Sequence, residues 1–169
     1  MSGYTVGMRK ILSALNKSTW VALDLALLGA GLYLAQSLHF VHYADLTLDE
    51  GTYLVKGWLF STGQYTPYQP YCPWTQKMPL AYLIPGVAQV LFGAGLRTGR
   101  YLSVFIGLFS LAGAWFLGKR MGGKWIAAWM VWFFTLSSAN IFSYSQAITQ
   151  SIVVCISVWS MALFLGKDR

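Results

Sequence analysis

The stretch that decides the fold class is residues 20–38, WVALDLALLGAGLYLAQSL, in which nearly every side chain is apolar. A helix that crosses a bilayer core needs about 20 consecutive apolar residues. Over the whole chain of 169 residues, 56% are hydrophobic and 10% are charged. Soluble domains carry about 25% charged residues. We therefore predict an integral membrane protein of the all-α class.

Four further apolar segments predict a polytopic protein with about five transmembrane helices in one membrane domain, residues 1–169. The predicted spans are 20–38, 79–96, 101–118, 125–139 and 147–166. The fourth span is short for a bilayer core. The mildly amphipathic segment 1–19 is predicted to lie on the membrane face. The long apolar stretch that follows it favours a signal anchor over a cleaved signal peptide.

The net charge of +7 does not indicate nucleic-acid binding, because the basic residues lie near the ends of spans and form no patch. Cytoplasmic loops of membrane proteins are enriched in Lys and Arg. This rule favours a cytoplasmic N-terminus, an external loop 39–78 and a location in the plasma (inner) membrane. The basic residues near the N-terminus are Arg9, Lys10 and Lys17.

The positive charges further along the chain give a mixed signal. If the five spans alternate in direction, Arg97 and Arg100 fall inside, as the rule expects. Lys119, Arg120 and Lys124 then fall outside, against it. The first helix therefore decides the predicted orientation.

The loop between the first two spans, residues 39–78, is the candidate functional region, since structureless loops beyond about 12–15 residues are usually functional. It contains Asp49 and Glu50, in a chain with five acidic residues. Residues 50–61 predict a short helix parallel to the membrane, capped by Thr47 or Asp49. The aromatic residues of the loop suit interfacial anchoring.

Two interpretations of the acidic pair remain open. Asp49 and Glu50 could cap the short helix at the positive end of its dipole. Alternatively, one carboxylate acts as a general base and the other holds a divalent cation. Lys77 is likewise either a phosphate contact or a residue that extends its ammonium from the membrane to water. His39 and His42 allow a metal site in the same region, weighed against an interfacial role.

Polar and small residues in the later spans suggest contacts between helices. Small residues recur along one face of the third predicted span, and two amides are spaced four residues apart at the fifth. Such faces either seat neighbouring helices of the same chain or border another membrane protein. We expect the fifth span to border another chain. The residues concerned are Gly107, Ser110, Ala114, Gly118, Gln146 and Gln150.

Six short motifs follow one another between Leu48 and Val104. An Asp-Glu pair with a nearby Tyr is followed by a Gly and a Pro, and then by a Lys-x-Pro-Leu sequence with a Tyr after it. A Leu-Phe-Gly sequence ends the second span, and an Arg-x-x-Ser sequence begins the third. The residues are Asp49, Glu50, Tyr53, Gly63, Pro67, Lys77, Pro79, Leu80, Tyr82, Leu91, Phe92, Gly93, Arg100 and Ser103.

In this order of motifs the chain resembles the front of the GT-C glycosyltransferases, such as the protein O-mannosyltransferases and the lipid A aminoarabinose transferase. The resemblance implies transfer of a sugar from a polyprenyl-phosphate donor to an acceptor hydroxyl at the external membrane face, with inversion. Family members carry more spans than the five predicted here. The alternative is therefore a noncatalytic GT-C-like subunit that acts as a scaffold in a larger membrane complex.

The resemblance also implies roles for individual residues. Asp49 would be the catalytic base, and Glu50 would assist it or hold a divalent cation, the one cofactor that the residues suggest. Lys77 would contact the lipid-linked phosphate. The expected partners are membrane lipid, the polyprenyl-phosphate sugar and another membrane protein chain, and no nucleic acid. The other residues assigned to substrate binding are Tyr53, Tyr82 and Arg100.

Overall fold

The computed structural model describes residues 3–69, 71 and 79–165, with the backbone alone for 3–19 and 79. Within these residues the chain forms α-helices and no β-strand, which confirms the predicted all-α class. The helices are α1 (Gly3–Tyr43), α2 (Leu48–Ser61), α3 (Pro79–Phe92), α4 (Leu96–Gly122), α5 (Lys124–Leu136), α6 (Ser138–Ser145) and α7 (Thr149–Phe164).

Two helices of the described residues are long and apolar enough to cross a membrane, Trp20–Tyr43 within α1 and Leu96–Gly122, which is α4. Helices α5 and α6 form a third candidate if they count as one span bent by 69°. Helices α3 and α7 are apolar but shorter. The chain is thus a membrane protein by length and composition. Residues 3–19 continue α1 without a break, and their predicted place on the membrane face stays a prediction.

The small residues of α4 seat other helices of the same chain. All four residues of the predicted stripe are buried. A Cβ at Gly107 would collide with the hydroxyl of Tyr33 in α1, so the absent side chain admits that ring. The hydroxyl of Tyr144 in α6 donates a 3.0 Å hydrogen bond to Ser110 Oγ, and Gly118 lies against the backbone of α5. The stripe therefore packs within the bundle.

The directions of the long helices follow from a few contacts. Trp132 Nε1 donates to the carbonyl of Leu25 at 3.0 Å, and Thr135 Oγ1 donates to that of Gly29 at 3.1 Å. Helix α5 therefore runs parallel to α1, and each bond satisfies a polar group that lipid could not. Helix α4 runs the other way, since its first turn meets the C-terminal end of α1 and its last turn meets α5.

The bundle consequently has two distinct ends. We call the end where α1 finishes and α2 and α4 begin the Glu50 end. We call the opposite end, where α4 finishes and α5 begins, the Lys119 end. Helix α7 runs from the Glu50 end, where Ala147 donates to Glu50, to the Lys119 end, where the Arg120 guanidinium donates to the carbonyl of Ala162.

Helices α2 and α3 pack against each other as an antiparallel pair. A Cβ on Gly57 would lie 2.6 Å from the carbonyl oxygen of Tyr82, so the two backbones touch. Gln89 Nε2 donates to the carbonyl of Leu54 at 2.9 Å, and Gln89 Oε1 accepts from the backbone N–H of Gly95 at 3.4 Å. The buried amide thus ties α3 both to α2 and to the connection that follows it.

The connection between α3 and α4 lies beside the connection between α1 and α2. Leu46 and Gly51 from the first connection and α2 line one groove of about 370 Å³ together with Gly95 and Leu96 from the second. Five alternating spans would place these connections on opposite sides of the membrane. The structure places them together at the Glu50 end.

The two glutamines do not share a face of one helix, as the sequence led us to expect. Gln146 is buried and ends α6 with extended backbone angles, φ −112° and ψ 151°. Ile148 is also extended, and α7 begins after it. Gln150 lies in the first turn of α7 and is exposed. The amide pair therefore gives no support for a partner along α7.

Candidate functional site

The first turn of α2 is closed by a capping box. Thr47 has extended backbone angles, and its Oγ1 accepts a hydrogen bond from the backbone N–H of Glu50 at 3.4 Å. In return the Glu50 carboxylate accepts from the backbone N–H of Thr47 at 3.2 Å. This reciprocal pair satisfies two N–H groups that a helix start leaves without partners. Thr47, rather than Asp49, is thus the cap.

Glu50 also forms a two-pronged ion pair with Arg100. Arg100 Nε donates to Glu50 Oε1 and Arg100 Nη2 donates to Glu50 Oε2, each at 2.8 Å. The Glu50 side chain is 0% exposed and that of Arg100 is 2% exposed. The planar guanidinium matches the two carboxylate oxygens, and this geometry gives strong charge-assisted bonds.

The remaining donors of Arg100 bind the end of α1. Nη1 donates to the carbonyl oxygens of Val41 at 3.1 Å and Ala44 at 2.8 Å. Nη2 donates to the carbonyl oxygen of Asp45 at 2.8 Å. The last carbonyls of a helix have no partners within it. Arg100 therefore satisfies the C-terminus of α1 while it pairs with α2.

A fourth segment joins through the backbone N–H of Ala147, which donates to Glu50 Oε1 at 2.9 Å. We call Thr47, Glu50, Arg100 and Ala147 the Glu50–Arg100 cluster. It holds together the end of α1, the start of α2, the start of α4 and the connection between α6 and α7. The arrangement thus explains why a buried ion pair lies at this end of the bundle.

The cluster gives Glu50 a structural role in place of the predicted catalytic or metal-binding one. Burial raises the pKa of its carboxyl, but the hydrogen bonds from Arg100, Ala147 and Thr47 outweigh burial and hold the pKa below its usual value. Glu50 is therefore charged at neutral pH and reluctant to accept a proton. Both of its oxygens already accept hydrogen bonds, so neither is open to a cation.

The described residues do not form a metal site at this end of the bundle. Among them, no group of three or more His, Cys, Asp and Glu side chains is placed to hold an ion. His42 instead accepts or donates a 3.3 Å hydrogen bond with the hydroxyl of Tyr101, and the ring of His39 lies 4.7 Å from that of Tyr43. The predicted divalent cation therefore does not fit the donor set of the described residues.

Asp49 is the member of the acidic pair that faces outward. It lies in the first turn of α2, next to the buried Glu50, and its side chain is exposed. Within the described part of the chain its carboxylate makes no hydrogen bond or ion pair. A carboxylate on an anchored turn is available to accept a proton from a bound hydroxyl.

One flank of α2 carries three functional groups. Asp49, Tyr53 and Lys56 follow one another at spacings of four and three residues, which places them on one side of the helix. The Tyr53 ring lies 5.4 Å from that of Tyr82, and Lys56 Nζ lies 5.6 Å from the Tyr82 ring centroid, a cation–π contact. Lys56 was missed in the sequence, although its spacing of seven from Asp49 was the available signal.

The other residues assigned to substrate binding take different positions. Tyr82 is 5% exposed and stacks against Phe60, so its ring forms part of the wall between α2 and α3. Arg100 is enclosed by the Glu50–Arg100 cluster, where it cannot touch a substrate. Lys77 lies outside the described residues.

An open groove of about 550 Å³ runs along the outer side of α2. Its lining is mainly apolar, with Thr47, Thr52, Lys56 and Tyr65 as its polar residues. Its residues are Leu46, Thr47, Leu48, Gly51, Thr52, Val55, Lys56, Leu59 and Tyr65. Its chemistry suits an apolar chain that ends in an anionic group.

Comparison with known proteins finds no family model that matches the chain, and neither the curated proteins nor the solved structures give a match. The likeness to the GT-C glycosyltransferases therefore rests on the sequence motifs.

Proposed function

We propose that this chain is the front module of a membrane glycosyltransferase that moves a sugar from a polyprenyl-phosphate donor to an acceptor hydroxyl at the external membrane face. The observation that carries the proposal is the contrast within the acidic pair. Glu50 is buried and fixed by five hydrogen bonds, whereas Asp49 beside it is exposed. A general base needs both a held position and an unoccupied oxygen.

The reaction assigns one step to Asp49. Its carboxylate takes the proton of the acceptor hydroxyl while that oxygen attacks the anomeric carbon of the donor sugar. The bond between this carbon and the phosphate oxygen breaks, and the polyprenyl phosphate leaves with the electron pair. Attack opposite to the leaving group inverts the anomeric configuration.

The flank of α2 supplies a site for the donor phosphate. Lys56 lies two turns along the helix from Asp49, beside an apolar groove that suits the polyprenyl tail. An ammonium is a good point charge for a phosphate. Lys77 is the second cation proposed to contact the donor, on the ground of its motif.

The charge distribution supports an external Glu50 end. Lys119, Arg120 and Lys124 lie at the Lys119 end, towards which the N-terminal half of α1 points. The sequence adds Arg9, Lys10 and Lys17 to that half. Basic residues collect on the cytoplasmic side. We accordingly propose a cytoplasmic N-terminus in a plasma (inner) membrane, with Asp49 on the opposite face.

The second candidate function is a noncatalytic subunit that serves as a scaffold in a larger complex. This function is favoured because Glu50 and Arg100, two predicted site residues, form a buried ion pair that holds the helices together. A scaffold needs the Glu50–Arg100 cluster but has no use for the carboxylate of Asp49. The two functions therefore differ in their response to a change at Asp49.

The test compares Asp49→Asn with Asp45→Asn in the native organism, so that any partner chain is present. Both residues are exposed carboxylates near the start of α2. Membranes receive polyprenyl-phosphate donors carrying radiolabelled mannose, glucose or aminoarabinose, and chain-dependent transfer of label is counted. We expect Asp49→Asn to lower transfer by about 10²-fold or more, with unchanged protein level, and Asp45→Asn to match wild type.

Two outcomes would contradict the enzyme proposal. Transfer at the wild-type rate by Asp49→Asn would remove Asp49 from the chemistry and leave the scaffold function. Equal label transfer with and without the chain, for all three donors, would reject the proposed reaction.

A further inference from the structure

We infer that α2 and α3 form a helical hairpin that lies at the membrane interface of the Glu50 end and begins and ends at that surface without crossing. The partner of its outer surface is the acyl-chain region of the adjoining leaflet. The chain then crosses the membrane four times, through α1, α4, the α5–α6 pair and α7. This inference does not depend on the proposed function.

The first argument comes from the two connections that flank the hairpin. Arg100, in the first turns of α4, binds the carbonyl oxygens of Ala44 and Asp45, which precede α2. Gly95 and Leu96 share a groove wall with Leu46. The chain therefore enters α2 and leaves α3 at one end of the bundle, and the number of crossings between these points is even.

The second argument is length, which decides between no crossing and two. Helices α2 and α3 have 14 residues each, or about 21 Å at 1.5 Å per residue. A bilayer core is about 30 Å thick. Helix α2 falls short of this thickness and carries Asp49, Glu50 and Lys56, whereas α7, of 16 residues, carries no charged residue. Charged side chains in a bilayer core are costly, so α2 does not cross. Because the number of crossings is even, it is zero.

The third argument is that the buried amide at the seam of the pair has its hydrogen-bond partners within the chain, although Ser61 Oγ beside Gly86 has none among the described residues. Gln89 is 3% exposed, and its amide binds the Leu54 carbonyl and the Gly95 N–H. The close approach of Gly57 and Gly86 brings the two backbones together. Backbone and amide groups inside a membrane need such internal partners.

The outer surfaces of the hairpin are apolar. Leu48 and Val55 project from α2, and Leu80, Val87 and Leu91 project from α3, all well exposed. The three positions of α3 are spaced by seven and four residues, which places them along one face. An apolar face beside charged groups such as Asp49 is the pattern of a helix that lies at the membrane interface.

The positions of the positive charges agree independently with four crossings. With four, Lys119, Arg120 and Lys124 lie on the same side as the N-terminus and its basic residues. With five, they lie on the opposite side, against the usual bias. Four crossings move Arg97 and Arg100 to the external side, where Arg100 is paired with Glu50, but they gather the larger group of basic residues on one side.

The first experiment determines the side of each connection. Single cysteines replace Leu46, Ala94 or Lys119, each exposed, in a chain that carries Cys72→Ser and Cys155→Ser. A membrane-impermeant maleimide is added to right-side-out and to inside-out vesicles. We expect Leu46→Cys and Ala94→Cys to react in the same vesicle type and Lys119→Cys in the other. Reaction of Leu46→Cys and Ala94→Cys in opposite vesicle types would overturn the hairpin.

The second experiment identifies what covers the outer face. A nitroxide label on Val87→Cys is tested in lipid vesicles by electron paramagnetic resonance for collisions with oxygen and with a water-soluble nickel chelate, and Gln64→Cys is the water-exposed control. We expect the label on Val87→Cys to collide more often with oxygen than with the nickel chelate, and the label on Gln64→Cys to show the reverse. Nickel access at Val87→Cys would place this face in water, and shielding from both reagents would indicate a second protein chain. Either result would reject the lipid contact.

Discussion

The guanidinium of Arg100 and the carboxylate of Glu50 meet in two parallel hydrogen bonds of 2.8 Å, although the residues are fifty positions apart in the chain. Neither side chain is more than 2% exposed. In such a site the loss of one partner leaves the other charged, buried and unpaired. Removal of one member of a buried pair typically costs about 3–5 kcal/mol.

We therefore expect Glu50→Gln to lower the free energy of unfolding by about 3 kcal/mol or more, because Arg100 keeps its charge and loses its counter-ion. Arg100→Lys should also lower the free energy of unfolding, since an ammonium cannot form the two-pronged pair with Glu50 or replace the bonds to the α1 carbonyls. Thermal unfolding of the purified chain in detergent measures both, with Asp45→Asn as the control. A Glu50→Gln protein that melts with wild type would show that the ion pair does not stabilise the fold.

The same pair predicts a dependence of stability on pH. The folded state lowers the pKa of Glu50, so its contribution is complete above the ordinary glutamate pKa of about 4.3 and is lost as the pH falls through the lower folded value. The difference in melting temperature between wild type and Glu50→Gln should therefore be constant from pH 7 to about 5 and shrink below that. A difference that grows with acidity would contradict the assigned direction.

The contact between α2 and α3 predicts a strong effect of one methyl group. A Cβ at Gly86 would collide with the carbonyl of Gly57 and with Ser61 Oγ, so Gly86→Ala should destabilise the chain by about 1–3 kcal/mol. The control is Gly51→Ala, where a Cβ meets nothing within 4 Å and alanine favours the helix by up to about 1 kcal/mol. Equal melting temperatures for the two variants would show that the helices do not touch at Gly86.

Donor binding should depend on cations at the Glu50 end. Lys56→Ala and Lys77→Ala are each expected to weaken binding of polyprenyl-phosphate mannose about tenfold, since a hydrogen bond to a charged group contributes about 1.5–3 kcal/mol. Affinity is measured in nanodiscs, with Lys119→Ala at the other end as the control. A loss as large with Lys119→Ala would indicate a general effect of net charge on binding.

The parts of the structure that sequence reasoning found depend on neighbours along the chain. The class followed from composition, and the Thr-x-x-Glu pattern at Thr47 and Glu50 is a capping-box signal contained in four residues. The partner of Glu50 is fifty residues away, and no periodicity connects it to Arg100. The motif match therefore grouped Arg100 with the substrate, whereas the fold buries it.

The boundaries of the spans were missed for a related reason. The predicted span 79–96 counts apolar residues, but α3 ends at Phe92, and Gly93 and Gly95 follow with φ values of 99° and 151°. Side chains other than glycine rarely adopt such angles. The break between α5 and α6 is likewise local, since Ser137 Oγ accepts from the backbone N–H of Asn140 and starts a new helix.

The Glu50–Arg100 cluster also sets an order of events during biosynthesis. Glu50 leaves the ribosome fifty residues before Arg100 and ninety-seven residues before Ala147. At about 5–20 residues per second, the last of these waits is on the order of 5–20 s. By the end of that time α1, α2 and α4 are made, yet the Glu50 carboxylate has lacked one of its donors until then. The Glu50–Arg100 cluster is therefore completed when the connection before α7 arrives, and the contacts of α7 with α4, such as that of Trp159 Nε1 with the carbonyl of Phe109, form after it.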